Sequence, residues 1–475
     1  MGFLKNVRLG VKLTGLGSIA GIASVTLSGW FGGVLFGGAG FGGALFGLGG
    51  WEGIESLNLG AIDIRPKTES PWVQALLSND PAAKEIVASY VTRLSSAGYE
   101  AGKQGVWVSV GQFPVADNQG TTALPAASLT KIATTLAALS TWGPDHRFET
   151  LVGWQGTFDA QTGTINGDLV VEGSDDPLFV WEEAIALGNT LNQLGIRRVT
   201  GDLIIAGRFT MNFETSPSKS GVLLKQAFNV SEWGYEVEAA HQNLAPGTVT
   251  PQISINGSVK TDPRSRRKQV SGWLVRHDSL PLVAILKAMN IYSNNPMAEQ
   301  VAQTVGGPTA VVNKVETATG ISPGELKLIN GSGLGEANQM SPRTAVLMLQ
   351  KIQEILRSQN LTISDIFPVA GADGGTIVDR GLPANAVVKT GSLAVVSALA
   401  GAVPTEKQGI VWFSLINYGA GLDALRSRQD QVISALEQQW GKAPGIPPEL
   451  QTTVIIGQAP YQFGMPERNF SMLGQ

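Results

Sequence analysis

The chain has 475 residues, enough for two or three domains and a large core. Charged residues make up 15% and hydrophobic ones 43%, with a formal net charge of −4, which excludes a disordered chain and leaves no basic footprint for nucleic acid. There are no cysteines, so disulfides, thiolate zinc sites and a cysteine nucleophile are excluded together.

At the N-terminus, Lys5, Arg8 and Lys12 precede an uncharged stretch from Leu13 to Trp51, a basic region followed by an apolar span. A spanning helix needs about 20 apolar residues, which Leu13–Phe36 supplies, and the basic end directs the rest of the chain outward. No small-x-small cleavage pattern stands out, so the expectation is an uncleaved membrane anchor. "FGGVLFGGAGFGGALFGLGG" then carries a GxGxxG at Gly38, Gly40 and Gly43. That motif needs a preceding strand and a following helix to mean dinucleotide binding, and here it lies in low-complexity sequence, so it reads as a chance match. Residues 1–50 therefore read as a signal-anchor and glycine-rich segment.

Residues 71–98 follow a helical pattern, and "QGVWVSVGQF" (104–113) alternates like a strand. "PAASLTKIATTLAAL" (125–139) is an apolar helix that opens with Ser128 and Lys131. Over 148–275, short runs such as "GDLVVEG" and "GDLIIAG" lie between Gly, Asp and Asn turns and predict a mostly β insertion domain. Helical patterns return over 280–305 and in "PRTAVLMLQKIQEIL". Two strand-like runs follow, "AVVKTGSLAVVSALAGAV" and "GIVWFSLIN", and a last helix ends at Trp440. The tail, 446–475, is proline-rich and expected to be irregular. The sum is an α/β (α+β) fold, with a discontinuous main domain from 51–147 and 276–445 around the 148–275 insert.

Three short motifs occur in order: Ser128-Leu129-Thr130-Lys131, Ser293-Asn294-Asn295, and Lys389-Thr390-Gly391 followed by Ser392. Residues i and i+3 share a helix face, so the Lys131 amine reaches the Ser128 hydroxyl. A serine hydroxyl needs a base before it attacks, and a lysine becomes that base when burial or a nearby cation lowers its pKa. Lys389 is the candidate for the nearby charge, and the helix N-terminus favours negative charge developing at Ser128. This motif set is shared by penicillin-binding proteins and class A β-lactamases. The three histidines, His146, His241 and His277, have no metal-ligand spacing, and no metal or organic cofactor is implied.

The neighbouring residues narrow this further. "ASLTKIATTLAALSTWGPDHRFET" resembles the nucleophile segment of the D-alanyl-D-alanine carboxypeptidase/endopeptidase family, the class C low-molecular-mass penicillin-binding proteins. "HDSLPLVAILKAMNIYSNNPMAEQ" and "INGSGLGEANQMSPRTAVLML" are similar to its second motif and its Gly-Ser-Gly-Leu stretch. "FPVAGADGGTI" and "VVKTGSLAVVSALAGAV" resemble the approach to its third. The likeness runs from about Ala75 to Trp440. It implies a transpeptidase-like domain of the penicillin-binding protein and serine β-lactamase type. The implied activity is serine-type D-Ala-D-Ala carboxypeptidase, DD-endopeptidase or both, on peptidoglycan stem peptides in the periplasmic or extracytoplasmic space, with β-lactams as covalent inhibitors.

The resemblance also implies roles. Ser128 is the acylated nucleophile, Lys131 the general base, and Ser293 the relay to the leaving amine. Asn295 holds the substrate amide, Lys389 brings positive charge beside Ser293, and Gly391 lies within the third motif. The Thr390 and Ser392 hydroxyls take the substrate's terminal carboxylate, and the N–H groups of Ser128 and Ser392 form the oxyanion hole. Four departures stand out. Asn294 occupies a position where Asp is common, Ser392 stands in place of a common Thr, the insert is short, and the N-terminus is anchor-like. Asp175 and Asp176 in "EGSDDPLF" and Ser332 in "NGSGLG" are expected to form turns. A β-lactamase or esterase on the same fold, and a non-catalytic wall-binding scaffold, are the alternatives. The sequence gives no oligomeric state.

Overall fold

A computed structural model describes residues 80–474. The expected anchor, the glycine-rich segment and the start of the helical pattern over 71–98 lie outside the described residues. Among the described residues, no helix is long and apolar enough to cross a membrane.

The main domain is built on a five-stranded antiparallel sheet in the order Val387–Leu393, Val396–Thr405, Gly409–Tyr418, Gln104–Val110, Phe113–Asn118. Alternation along its strands sends Leu399, Val403, Phe413 and Leu415 to one face, against the helices Pro81–Ser96 and Leu422–Trp440. The other face presents Ala398, Ala400, Ala402 and Ile416 to a larger helical core. Small side chains there let helices approach the sheet closely. The helix Thr130–Trp142 lies at the centre of that core, with every residue from Thr130 to Leu139 buried. With Lys131 its one charged residue, the helix has no charged face that needs solvent, and its buried Lys131 and Thr134 side chains bond within the core. It packs against the helices Asn295–Val305, Pro308–Thr319 and Pro342–Arg357.

The insert differs from the mostly β expectation. Its strands Glu149–Asp159, Thr164–Ser174 and Gly272–Asp278 are antiparallel neighbours, but Leu203–Arg208 runs parallel to Thr164–Ser174, and Val259–Asp262 parallel to Leu203–Arg208. Parallel neighbours require a crossover, normally a helix. The helix Trp181–Gln193 supplies the first, burying Ala184, Ile185, Leu187 and Leu191, and Pro217–Ala227 and Tyr235–Gln242 lie before the next strands. The domain is therefore mixed α/β. Asp176 closes a turn by accepting the Leu178 N–H at 2.8 Å, and Asp175 pairs with Arg208. The same region meets the main domain, where Thr210 Oγ1 lies 3.0 Å from Gln300 Oε1.

The tail is not irregular throughout. Asn469–Ser471 adds an edge strand to Gly272–Asp278, a pairing too short to leave a sequence pattern. Upstream, the tail is tied to the main domain: Ser364 Oγ donates to Leu450 O at 2.7 Å, and Asp365 accepts the Val454 N–H at 2.9 Å. Arg468 then enters the insert and pairs with the fully buried Glu183, which also accepts the Gly464 N–H at 3.2 Å. Burial pushes the Glu183 carboxyl up, and Arg468 opposes that most strongly. Removing one partner of such a pair leaves a buried charge unmatched, so Arg468→Ala is expected to cost about 3–5 kcal/mol. Calorimetry on the purified variant measures this, and an unchanged melting temperature would show that the strap carries no stability.

Candidate active site

The chain enters the central helix through a tight turn, Ala127–Leu129, that places the half-buried Ser128 at the helix start. Ala127 is held at φ 47°, a left-handed conformation that alanine avoids. Neighbouring backbone enforces it. Gly333, at φ 85°, passes so close that an added Cβ would lie 1.9 Å from Ala127 O. On the other side, a Cβ on Gly391 would come within 3.0 Å of Ser128 N. The strand Val387–Leu393 therefore lies directly against the backbone of the nucleophile turn, which explains a glycine between Thr390 and Ser392.

Lys131, one turn into the helix, is completely buried. Its Nζ lies 2.9 Å from Ser128 Oγ, 2.7 Å from Asn295 Oδ1 and 2.8 Å from Ser332 O. Burial pulls the amine down to about 7, with the Glu299 carboxylate opposing. A neutral amine has two N–H groups and one lone pair. The two carbonyl-type oxygens only accept, so they take the N–H groups, and the lone pair is left to accept the Ser128 O–H. The arrangement selects the base form of the lysine and aims it at one hydroxyl.

The acceptor Ser332 O is itself positioned. Glu299, on Asn295–Val305, accepts the N–H of Gly331 at 3.0 Å and of Ser332 at 3.0 Å, while Thr134 Oγ1 donates to Gly331 O at 2.7 Å. Ser332 thus serves as a turn and meets Lys131 through its carbonyl rather than its hydroxyl.

In the second motif, Ser293 sits at φ 52°, and Asn294 caps the following helix by accepting the Met297 N–H at 2.9 Å. Asn caps as well as Asp does, which accounts for the departure at that position. The cap fixes the start of the helix that carries Asn295 and, one turn on, Glu299.

Lys389 reaches the same place from the sheet. Its Nζ donates to Ser293 Oγ at 2.9 Å and to Thr390 O at 2.9 Å. It is fully buried, and burial first, then Lys131, hold its amine well below the usual lysine range. The expectation of positive charge beside Ser293 therefore meets a physical obstacle: two buried lysines lie close together, and among the described residues no carboxylate hydrogen-bonds to either amine. Thr390 Oγ1 pairs with Thr376 Oγ1 at 2.8 Å, and Ser392 Oγ accepts from Arg426 Nη2 at 2.9 Å. The loop bearing Thr376 is anchored by buried Lys287, which donates to Asp373 Oδ2 at 2.7 Å and to Ser364 O at 2.6 Å.

The fold thus brings Ser128, Lys131 and Asn295 together, and joins Ser293 to Lys389. Glu299, Thr376 and Arg426 were not singled out from the sequence. Only Glu299 had a usable signal, its i+4 spacing from Asn295. Among the described residues, no group of three or more His, Asp or Glu side chains is placed to hold a metal ion.

The D-Ala-D-Ala carboxypeptidase 3 (S13) family model matches residues 105–217 and 238–439. D-alanyl-D-alanine carboxypeptidase DacB of Haemophilus influenzae is 24% identical over 407 residues, 65% of this chain and 83% of that protein. Among solved structures, the predatory peptidoglycan endopeptidase Bd3459 of Bdellovibrio bacteriovorus superposes with a TM-score of 0.62 at 21% identity, covering 74% of this chain and 95% of that one. Its penicillin G-acylated form, in complex with the immunity protein Bd3460, gives 0.58 at 22% identity, covering 78% and 99%. At such identities the structural likeness is one of fold.

Proposed function

The chain belongs to the D-Ala-D-Ala carboxypeptidase 3 (S13) family, and from that premise we propose that it cleaves peptidoglycan stem peptides through an acyl-enzyme on Ser128, removing terminal D-Ala, opening D-Ala cross-links, or both. The carrying observation is the Lys131 amine, held by two acceptors so that its lone pair meets the Ser128 hydroxyl 2.9 Å away.

In this reading Lys131 takes the Ser128 proton as Oγ attacks the carbonyl of the penultimate D-Ala. The oxyanion is held by the N–H groups of Ser128 and Ser392, a role supported by the close approach of Gly391 to Ser128 N. Ser293, joined to Lys389, returns a proton to the leaving amine. Asn295 orients the peptide amide, and the Thr390 and Ser392 hydroxyls take the terminal carboxylate. Water then releases the shortened peptide. A β-lactam follows the first half of this path and stays attached. A peptidoglycan substrate supports an extracytoplasmic location, and the basic-then-apolar pattern of residues 5–36 supports anchoring to the membrane from the N-terminus.

The test is incubation with benzylpenicillin followed by peptide mapping, beside D-Ala release from a stem pentapeptide and cleavage of a cross-linked dimer. A stable adduct on the Ser128 peptide with hydrolysis of either substrate supports the reading. Rapid penicillin turnover with no peptide hydrolysis would instead favour a β-lactamase.

Glu299 provides a separate prediction. Its charge favours the ammonium form of Lys131, so Glu299→Gln is expected to move the acid limb of the acylation rate to lower pH. The amide offers one acceptor to the two N–H groups of Gly331 and Ser332, costing about 1–3 kcal/mol for the unmatched donor. A pH-rate profile and a thermal melt on one variant check both.

A further inference from the structure

In the proposed reading, the substrate's terminal carboxylate meets two hydroxyls, Thr390 and Ser392. Neutral hydroxyls alone leave a partly desolvated anion without a counter-charge. Lys389 does not supply one, because its amine is committed to Ser293 Oγ and Thr390 O at the floor of the site.

A permanent cation stands on the other side of Ser392. Arg426 lies in the first turns of the helix Leu422–Trp440. That helix follows directly on the strand Gly409–Tyr418 through Gly421 at φ 87°. The register Ser392↔Ser397 and Ser397↔Asn417 brings the end of that strand beside the hairpin carrying Ser392. Arg426 Nη2 donates to Ser392 Oγ at 2.9 Å. Its acidic neighbour, Asp423, touches it at 3.4 Å with a side chain 96% exposed, while the Arg426 side chain is 39% exposed. Such a pair neutralises little in water. A guanidinium has five N–H donors and stays charged at any physiological pH. One of these N–H groups is given to Ser392 Oγ.

We infer that Arg426 binds the terminal carboxylate of the substrate directly, beside Ser392, and that it is the specificity-determining cation of this subsite. The inference rests on the DD-peptidase reading above. With Nη2 donating to Ser392 Oγ, the Ser392 proton is free to donate to the carboxylate. The remaining guanidinium N–H groups add a charge-assisted contact to the same anion. A chain that recognises its substrate in this way discriminates between a free carboxylate and its ester.

The experiment compares acylation of the full chain by benzylpenicillin and by benzylpenicillin methyl ester, for wild type, Arg426→Met and Arg426→Lys. Wild type is expected to prefer the free acid. Arg426→Met is expected to lose about 10- to 100-fold on the acid while the ester rate stays unchanged, the size of one charge-assisted contact. Arg426→Lys is expected to fall between. Arg426 is partly exposed, so melting temperatures should match and lost rate is not lost fold. Equal losses on acid and ester, or no loss on the acid, would overturn the inference. So would a wild type that takes the ester as fast as the acid, and that result leaves the peptidase reading standing. A wild type acylated by neither compound overturns both.

Discussion

Ser128→Ala is expected to abolish covalent labelling by benzylpenicillin and to reduce peptide hydrolysis by at least about 10⁴-fold, the scale seen when a serine nucleophile is removed. The fold should barely notice. The Ser128 side chain makes one hydrogen bond, to Lys131, and losing it costs on the order of 1 kcal/mol. The more demanding part of the prediction is where label goes. The site contains a second hydroxyl–amine pair, Ser293 with Lys389, at the same 2.9 Å separation. What separates the two is the surrounding backbone. Ser128 opens a buried helix and has the strand Val387–Leu393 packed against its amide, an arrangement suited to an oxyanion. Ser293 instead lies just ahead of a helix whose Met297 N–H is already taken by the Asn294 cap. Peptide mapping of the Ser128→Ala protein decides between them. Label on Ser293 would exchange the roles of nucleophile and relay.

How much of this site was readable from sequence follows from how far each contact travels along the chain. Ser128 and Lys131 are one helical turn apart, so their meeting needs only a helix. The strand carrying Lys389, Thr390 and Ser392 was legible from its apolar run and Thr-Gly step. The contacts that join these pieces were not. Asn295 reaches Lys131 across 164 residues and Ser332 O across 201, and no local pattern encodes such distances. The family resemblance supplied that grouping, not periodicity. Arg426, Thr376 and Glu299 were missed for a related reason. Each is a single polar residue on an element with its own structural purpose, and only the packed fold shows which neighbour it touches. The insert was misjudged differently. Its strands carry strong β patterns, whereas helices such as Pro217–Ala227 are short and open on a Pro-Ser-Lys-Ser-Gly run that reads as loop. The strand Asn469–Ser471 exists because Gly272–Asp278 offers it an edge.

Lys131→Arg keeps a cation at the base position and is expected to lower acylation by about 10²–10⁴-fold, the usual worth of a general base. The argument turns on a lone pair. In the wild type, Asn295 Oδ1 and Ser332 O occupy the N–H groups of the neutral amine, and burial holds the pKa at about 7. The rate should therefore climb as pH rises through about 7 and level off above it, because only the deprotonated amine accepts the Ser128 proton. A guanidinium never reaches that state in water's accessible range, so the variant should be slow and should lack this limb. The same shift acts on stability, with the opposite consequence at neutral pH. In the unfolded chain the amine holds its proton up to about 10.5, while in the folded protein it releases it near 7. Between those values the unfolded state binds more protons, so this group's contribution to stability rises with pH across that window. Lys131 thus opposes folding most where the proton is still bound, and the enzyme keeps it for chemistry. Melting temperatures of wild type and Lys131→Met, taken from pH 7 to 9, should converge as pH rises. A constant gap, together with an acid limb retained in Lys131→Arg, would mean that another group is the base, with Lys389 the first to test.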